Sequence, residues 1–255
     1  MKSLCAFLAL LVITGCATVR GETAAVTPQR PTVSSDTNTT HRGTVELETG
    51  VVVDHDQSFD VPTTLKYGAG AATEIFGSWL PYRWLEAPGD DTSGVSDPAL
   101  GLRHRFWDET DAAPSAAMQL AVKIPLADEG AGLSTGEPDA FAAAIASKAF
   151  GPFGATAYYQ FGVLGQSAGG VDIEHTGALA GSLALTDSIA AFTEAAAIAV
   201  PDQGIESYFS TSGLALAVSR SWVLDVGVLA GWNHDAPDLA FIVGWTANFG
   251  PGPHR

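Results

Sequence analysis

The sequence predicts an all-β fold, a transmembrane antiparallel up-and-down β-barrel of about 12 strands, and three observations predict it. Between Thr44 and Phe249 the chain repeats about a dozen stretches of roughly eight to twelve residues that alternate apolar with small or polar side chains. The connections between them are alternately long and short, and the array follows an apolar export signal. A membrane strand needs roughly 9–11 tilted residues with lipid on one face and lumen on the other, so only every second residue must be apolar. One alternating segment describes a soluble antiparallel sheet at least as well. A dozen in succession behind a signal favour the membrane.

The expected strands are about 44–54, 62–68, 72–82, 97–107, 115–124, 140–150, 153–163, 177–185, 189–199, 208–218, 222–231 and 239–249. The last shows the pattern most clearly. Leu239, Phe241, Val243, Trp245, Ala247 and Phe249 share one face; Ala240, Ile242, Gly244, Thr246 and Asn248 share the other. Residues 141–149 and 192–200 are Ala-rich and have helix propensity in isolation, but their length and their neighbours place them as strands. Trp79, Tyr82, Trp84, Phe106, Trp107, Phe150, Phe153, Tyr208, Phe209, Trp222, Trp232 and Phe249 stand at or near segment ends, where interfacial aromatic girdles sit.

With both ends of the barrel in the periplasm, the even-numbered connections face inward and the odd-numbered ones outward, and bacterial barrels keep the outer loops long. The even connections are 69–71, 108–114, 151–152, 186–188 and 219–221; the odd ones include 83–96, 125–139, 164–176 and 232–238. A soluble sandwich has no reason to sort its loops in this way. The same sorting collects acid at one rim, from Asp54, Asp56 and Asp60 through Asp90, Asp91, Asp128 and Asp172 to Asp235 and Asp238, with Arg83 as the one base. Such a mouth draws in cations and neutral solutes and disfavours anions, or is simply a solvated loop layer screened by divalent ions among lipopolysaccharide phosphates.

The chain has 255 residues, enough for one barrel; 16% are charged and the net charge is −16, which excludes a phosphate-binding surface and hence a nucleic-acid partner. Residues 1–15 have a basic start at Lys2 and an apolar run too short to span as a helix, so they read as a signal peptide. Residues 11–16, ending Thr14, Gly15 and Cys16, resemble a bacterial lipobox in which Cys16 becomes the lipidated N-terminus. The alternative is ordinary cleavage nearby with Cys16 incidental. Cys5 leaves with the signal, so no disulfide or Cys-based metal site is available. Residues 16–42 are rich in Thr, Ser and Pro without periodicity and read as a flexible leader; a plug in the lumen is the less favoured alternative, since nothing in the stretch is expected to pack. The barrel domain is 43–249, followed by a short tail, 250–255.

Charges on strands cost several kcal/mol each if they face hydrocarbon near the midplane, so the lumen should receive them. Alternation assigns Glu46, Glu48, Lys66, Glu74, Arg103, Arg105, Lys123, Lys148, Tyr158, Gln160, Glu194 and Asp225 to that face, acids and bases in near balance. They could pair into a constricting network, line a polar path, or do both in a narrow barrel. No catalytic residue is predicted: a barrel hydrolase needs a strand His beside a Ser and an orienting acid or amide, and His104, read as the only strand histidine, faces outward. No metal is predicted either, because His55 and His234 with their neighbouring Asp residues are explained by turn chemistry. No cofactor motif is present; Gly68 and Gly70 join two strands and open no helix.

Residues 47–50 (LETG), 62–68 (PTTLKYG), 93–97 (SGVSD), 122–125 (VKIP), 224–228 (LDVGV) and 233–238 (NHDAPD) resemble the outer-membrane transporter family named for the meta-pathway of phenol degradation. The resemblance spans about 43–249 and its motifs mark turns and strand starts. It implies a channel that passes small hydrophobic or aromatic solutes, seated in outer-membrane lipid and lipopolysaccharide, and delivered by the barrel-assembly machinery. It does not cover the lipobox or the tail beyond Phe249. An outer-membrane channel of a Gram-negative bacterium is therefore expected, with a lipid-anchored structural or ligand-binding barrel of closed lumen as the alternative. If Cys16 is the acylated residue, labelled fatty acid will be incorporated by the wild-type chain and lost in Cys16→Ser; labelling retained in that variant removes the lipobox assignment.

Overall fold

The computed structural model describes residues 25–54, 58–86 and 91–250. The signal peptide with Cys5 and Cys16, residues 251–255 of the tail, and His55, Asp56 and Asp90 lie outside the described residues.

One antiparallel sheet closes on itself. Its strands are β1 (Val45–Asp54), β2 (Ser58–Asp60), β3 (Thr63–Gly68), β4 (Thr73–Trp79), β5 (Arg83–Leu85), β6 (Thr92–Gly94), β7 (Ala99–Trp107), β8 (Ser115–Lys123), β9 (Asp139–Phe150), β10 (Phe153–Gly165), β11 (Val171–Ala184), β12 (Ile189–Val200), β13 (Ile205–Ser219), β14 (Trp222–Gly231) and β15 (Leu239–Phe249). Twelve of these form the wall in chain order, and β15 pairs back onto the whole of β1, from Val45 opposite Phe249 to Asp54 opposite Ala240. Closure leaves the wall without an edge, the condition for a sheet to cross a bilayer. The short strands β2, β5 and β6 extend β1 into a ribbon at the long-loop end, where Arg83 grips Asp60 through a fork of 2.9 and 2.8 Å.

Alternation sets the two faces. Along β15, Leu239, Phe241, Val243 and Phe249 are exposed while Ala240, Ile242, Thr246 and Asn248 are buried. Ala247 is also fully buried, though its parity points outward; it lies opposite Trp222, whose ring stacks on Trp245 at 5.2 Å. The Ala-rich stretches are strands β9 and β12. Tertiary context overrides their helix propensity: small residues on the inner face, Ala117, Ala143, Ala178 and Ala196, leave room for Ile145, Tyr158 and Phe209, and together these make the apolar cluster of the interior. Phe209 thus belongs to the core and not to a girdle, because Tyr208 takes the outward position beside it. Tyr82, Phe106, Trp107, Phe150, Phe153, Trp222, Trp232 and Phe249 are exposed at strand ends.

Two outer connections are shorter than the sequence implies. Strands β11 and β13 begin at Val171 and Ile205, so the connection after β10 shrinks to 166–170, and Asp172, Glu174 and Glu206 sit on strands instead of in loops. At 14 and 15 residues these strands exceed the roughly 9–11 that a bilayer requires. His175 is consequently a strand residue alongside His104. Its Nδ1 lies 2.7 Å from the Tyr159 hydroxyl and its ring packs against Phe161. Just before β7, Asp97 fastens the loop after β8 by accepting N–H bonds from Leu126 and Ala127, both at 2.8 Å, and the Ser134 hydroxyl at 2.6 Å. Burial pushes that carboxyl up, but these donors and Lys123 hold it below the ordinary aspartate value.

Val243, exposed in mid-β15 between Val51 and Val226, marks the apolar outer face. Val243→Arg is expected to lower folding stability in liposomes by about 2–4 kcal/mol in a urea titration, as lipid-facing cations do near the midplane; a change below about 0.5 kcal/mol, typical of a solvated surface site, would show that this face is not in lipid.

Candidate functional site

The interior is occupied by the chain's own leader. Residues 25–44 enter and leave at the short-turn end: the Val26 N–H bonds the Arg220 carbonyl in the turn after β13, and Gly43 N–H bonds Gly68 at the end of β3. Between these points the leader forms a loop that rises into the barrel and is clasped on itself, with Gln29 and Asp36 exchanging bonds of 2.9 and 2.7 Å. Ser34, Thr37, Thr39 and Thr40 are buried. Residues 25–42 are therefore a docked plug and not a free tether. The stretch has little apolar surface, and what holds it is polar.

Four wall glutamates do most of that holding, each as an acceptor for backbone N–H groups that no sheet or helix satisfies. Glu46 accepts from Thr27 at 2.9 Å, Glu48 from Gln29 at 2.8 Å, and Glu74 from Thr40 at 2.7 Å. Glu194 accepts from both Val33 and Ser34, at 2.9 and 2.8 Å, and from the Ser34 hydroxyl. Wall cations complete the cradle by donating to leader carbonyls: Lys66 to Thr27 at 2.7 Å, Arg103 to Asn38 at 3.1 Å and Arg105 to Thr37 at 3.3 Å. Thr37 also meets Ser115 at 2.6 Å.

Among the described residues of the leader, the guanidinium of Arg30 reaches into the barrel and lies against Asp225 on β14, with Nε 3.1 Å and Nη2 3.2 Å from the carboxylate oxygens. Both side chains are nearly inaccessible, 9% and 3% exposed. Beneath the guanidinium the wall carries no side chain. Gly244 is the neighbour of Asp225 on one side and of Gly50 on the other, and a Cβ built on either glycine would run into Arg30.

The structure places Glu46, Glu48, Lys66, Glu74, Arg103, Glu194 and Asp225 on the buried inner face and brings all of them to the leader. Lys66 joins Glu46 and Glu48, and Arg103 stands 3.7 Å from Glu74 while donating to Gln119 at 2.8 Å. The remaining cations lie toward the ends. Lys123 pairs with Asp139 at 2.8 Å at the long-loop rim; Arg105 pairs with Asp108 at 2.6 Å and Lys148 with Glu109 at 3.6 Å near the short turns. Tyr158 is buried in the apolar cluster and donates to Gln160 at 2.8 Å. Of these seven buried inner-face residues around the leader, five are acids and two are bases.

Two cavities flank the leader among the described residues. One, of about 350 Å³, is bounded by Glu48, Thr64, Lys66, Glu74, Ser78, Arg103 and Gln119. The other, of about 730 Å³, is bounded by Arg105, Ser115, Ser147, Lys148, Ala180, Phe192 and Ala215. Leader residues 29–32 line both and form the partition between them. The plug is the reading the sequence made the less favoured one, and the glycine floor has no signal in the sequence. Among the described residues no group of three or more His, Cys, Asp or Glu side chains is arranged to hold a metal ion. His104 Nδ1 lies 2.9 Å from the Thr73 hydroxyl, edge-on to Phe106.

No family model and no curated protein matches the chain in sequence. Solved structures do match in shape. An outer membrane channel from Pseudomonas putida F1 superposes with a TM-score of 0.67 at 12% identity, over 86% of this chain and 100% of that one. The NanC porin superposes with a TM-score of 0.56 at 8% identity, over 80% of this chain and 98% of that one. At such identities the likeness carries the fold: this is an outer-membrane-type barrel.

Because a β-carbon has no room under the guanidinium, Gly244→Val is expected to lift Arg30 from its seat and expose residues 25–42 to added protease in folded, reconstituted protein. Gly177→Ala, where a new methyl meets open space, should leave them protected. Equal protection in both variants would show that the seat does not hold the leader.

Proposed function

We propose that the protein is an outer-membrane channel for passive passage of small solutes, closed at rest by its own leader. The observation that carries this reading is the partition at residues 29–32, which divides a polar lumen into two cavities. Buried Glu, Lys and Arg side chains border the first of these cavities, the kind of lining a small polar solute needs to cross a bilayer. Likeness in fold to a channel and a porin supports the reading. The acid at the long-loop rim favours cations and neutral solutes over anions, and the resemblance to the phenol meta-pathway family adds small hydrophobic or aromatic compounds to the candidates. The fold supports a place in the outer membrane of a Gram-negative bacterium; export by the signal peptide, Cys16 as the lipid anchor, lipid and lipopolysaccharide around the wall and delivery by the barrel-assembly machinery are part of the same proposal. No catalytic or cofactor role is assigned to any residue.

The close fit of the leader favours a second reading, a barrel whose lumen stays shut while its outer loops bind ligand. Conductance separates the two. In planar bilayers the wild-type chain is expected to rest mostly closed, and Arg30→Ala, which leaves Asp225 buried without its partner, should raise the open fraction by at least about tenfold with cations favoured over anions. Liposome swelling with phenols, sugars and amino acids would then rank the solutes. An absence of steps in both proteins at every salt concentration would establish the closed barrel.

A further inference from the structure

The buried wall acids around the leader differ in what balances them. Glu46 and Glu48 share Lys66, and Glu74 faces Arg103, so these three keep a cation of the wall whatever the leader does. Asp225 takes its counter-charge from the leader, through Arg30. When residues 25–42 withdraw, as the channel reading requires, a carboxylate that is 3% exposed in the plugged state is left facing the opened lumen. A buried carboxylate stripped of its partner is costly and recruits a cation from solution.

The surroundings select which cation. Asp225, Gly244 and Gly50 are consecutive neighbours across β14, β15 and β1, so one carboxylate stands at the edge of a floor made of two side-chain-free residues. The guanidinium of Arg30 lies on that floor and presents Nε and Nη2 to the carboxylate as a fork. A planar cation with adjacent N–H donors fits both features. A round ammonium group satisfies the charge but leaves the floor uncovered and makes no fork. Pro31 fixes the approach by packing toward Gly227, the next glycine on β14.

We infer that Asp225, Gly244 and Gly50 form a guanidinium-binding site in the channel wall, filled at rest by Arg30 and available to guanidinium- or amidinium-bearing solutes when the leader withdraws. The leader then acts as a tethered competitor for its own channel's solute site. Such solutes both find a station in the lumen and favour the open state, because they bind where the plug would dock.

The test uses the full-length Arg30→Ala protein in micelles, with methylguanidinium as the titrant in calorimetry and heat-modifiable migration as the check on folding. Arg30→Ala is expected to bind about one methylguanidinium per chain saturably, while the wild type, its seat filled, binds with at least about tenfold lower apparent affinity. Adding Asp225→Asn should weaken binding by about tenfold or more, the scale of a charge-assisted hydrogen bond. Adding Gly244→Val, which keeps the charge and fills the floor, should weaken it likewise; this arm decides the matter if the Asp225 variant does not fold. Tetramethylammonium should not saturate. Binding that survives both second substitutions, or that tetramethylammonium reproduces, overturns the site. Saturable binding in a protein without conductance would retain the site and remove the channel reading; conductance without saturable binding would do the reverse.

Discussion

A barrel wall in lipid leaves its charges one direction to point. Lipid on the outside makes an outward charge prohibitive, so each acid and base carried by a membrane-spanning strand turns into a space narrow enough to strip much of its water. There it must be paired or hydrogen-bonded. The architecture of this protein follows from how that requirement is met. Cations near the strand ends serve the rims, as Lys123 does with Asp139 and Lys148 with Glu109. Around the leader the buried wall holds more acid than base, and the deficit is met by a segment that belongs to no strand.

That segment suits the task because of what it lacks. Without regular structure, residues 25–42 arrive with unspent backbone donors, and the wall glutamates take them up at Thr27, Gln29, Val33, Ser34 and Thr40. Carboxylates accept two or more such bonds readily, and charge-assisted bonds of this kind are stronger than neutral ones. A plug held in this way is specific without an apolar core of its own. The other half of the interior is closed differently, by Tyr158, Phe209 and Ile145 packed among alanines. One side of the interior is filled by apolar side chains of the wall and the other by the polar leader.

Much of the fold was legible in the sequence because the barrel obeys a simple periodicity. β14 and β15 begin and end where alternation and turn residues put them. Periodicity loses its signal where strands leave the membrane, since a strand standing in water no longer needs an apolar face. Hence Val171 to Glu174 and Ile205 to Glu206 read as loop, and His175 with them. Phe209 was misread for a related reason: an aromatic at a strand end suits a girdle by composition, and only its parity beside Tyr208 turns it inward. The docking of the leader was hidden more deeply. Its partners are main-chain groups, which composition does not see, and a run of Thr, Ser and Pro shows no apolar stripe. A trace was nonetheless present. Arg105, Lys123 and Lys148 stand at or near segment ends while Glu194 and Asp225 do not, so the apparent charge balance could not hold at every depth, and Arg30 was available to correct it.

The most direct measurement of whether wall carboxylates hold the leader inside the barrel is amide hydrogen exchange on the full chain reconstituted in lipid bilayers. The account predicts slow exchange at Thr27, Gln29, Val33, Ser34 and Thr40, whose N–H groups bond Glu46, Glu48, Glu194 and Glu74, against faster exchange at leader positions without such a bond. Exchange across residues 25–42 at the rate of an unstructured peptide would contradict it.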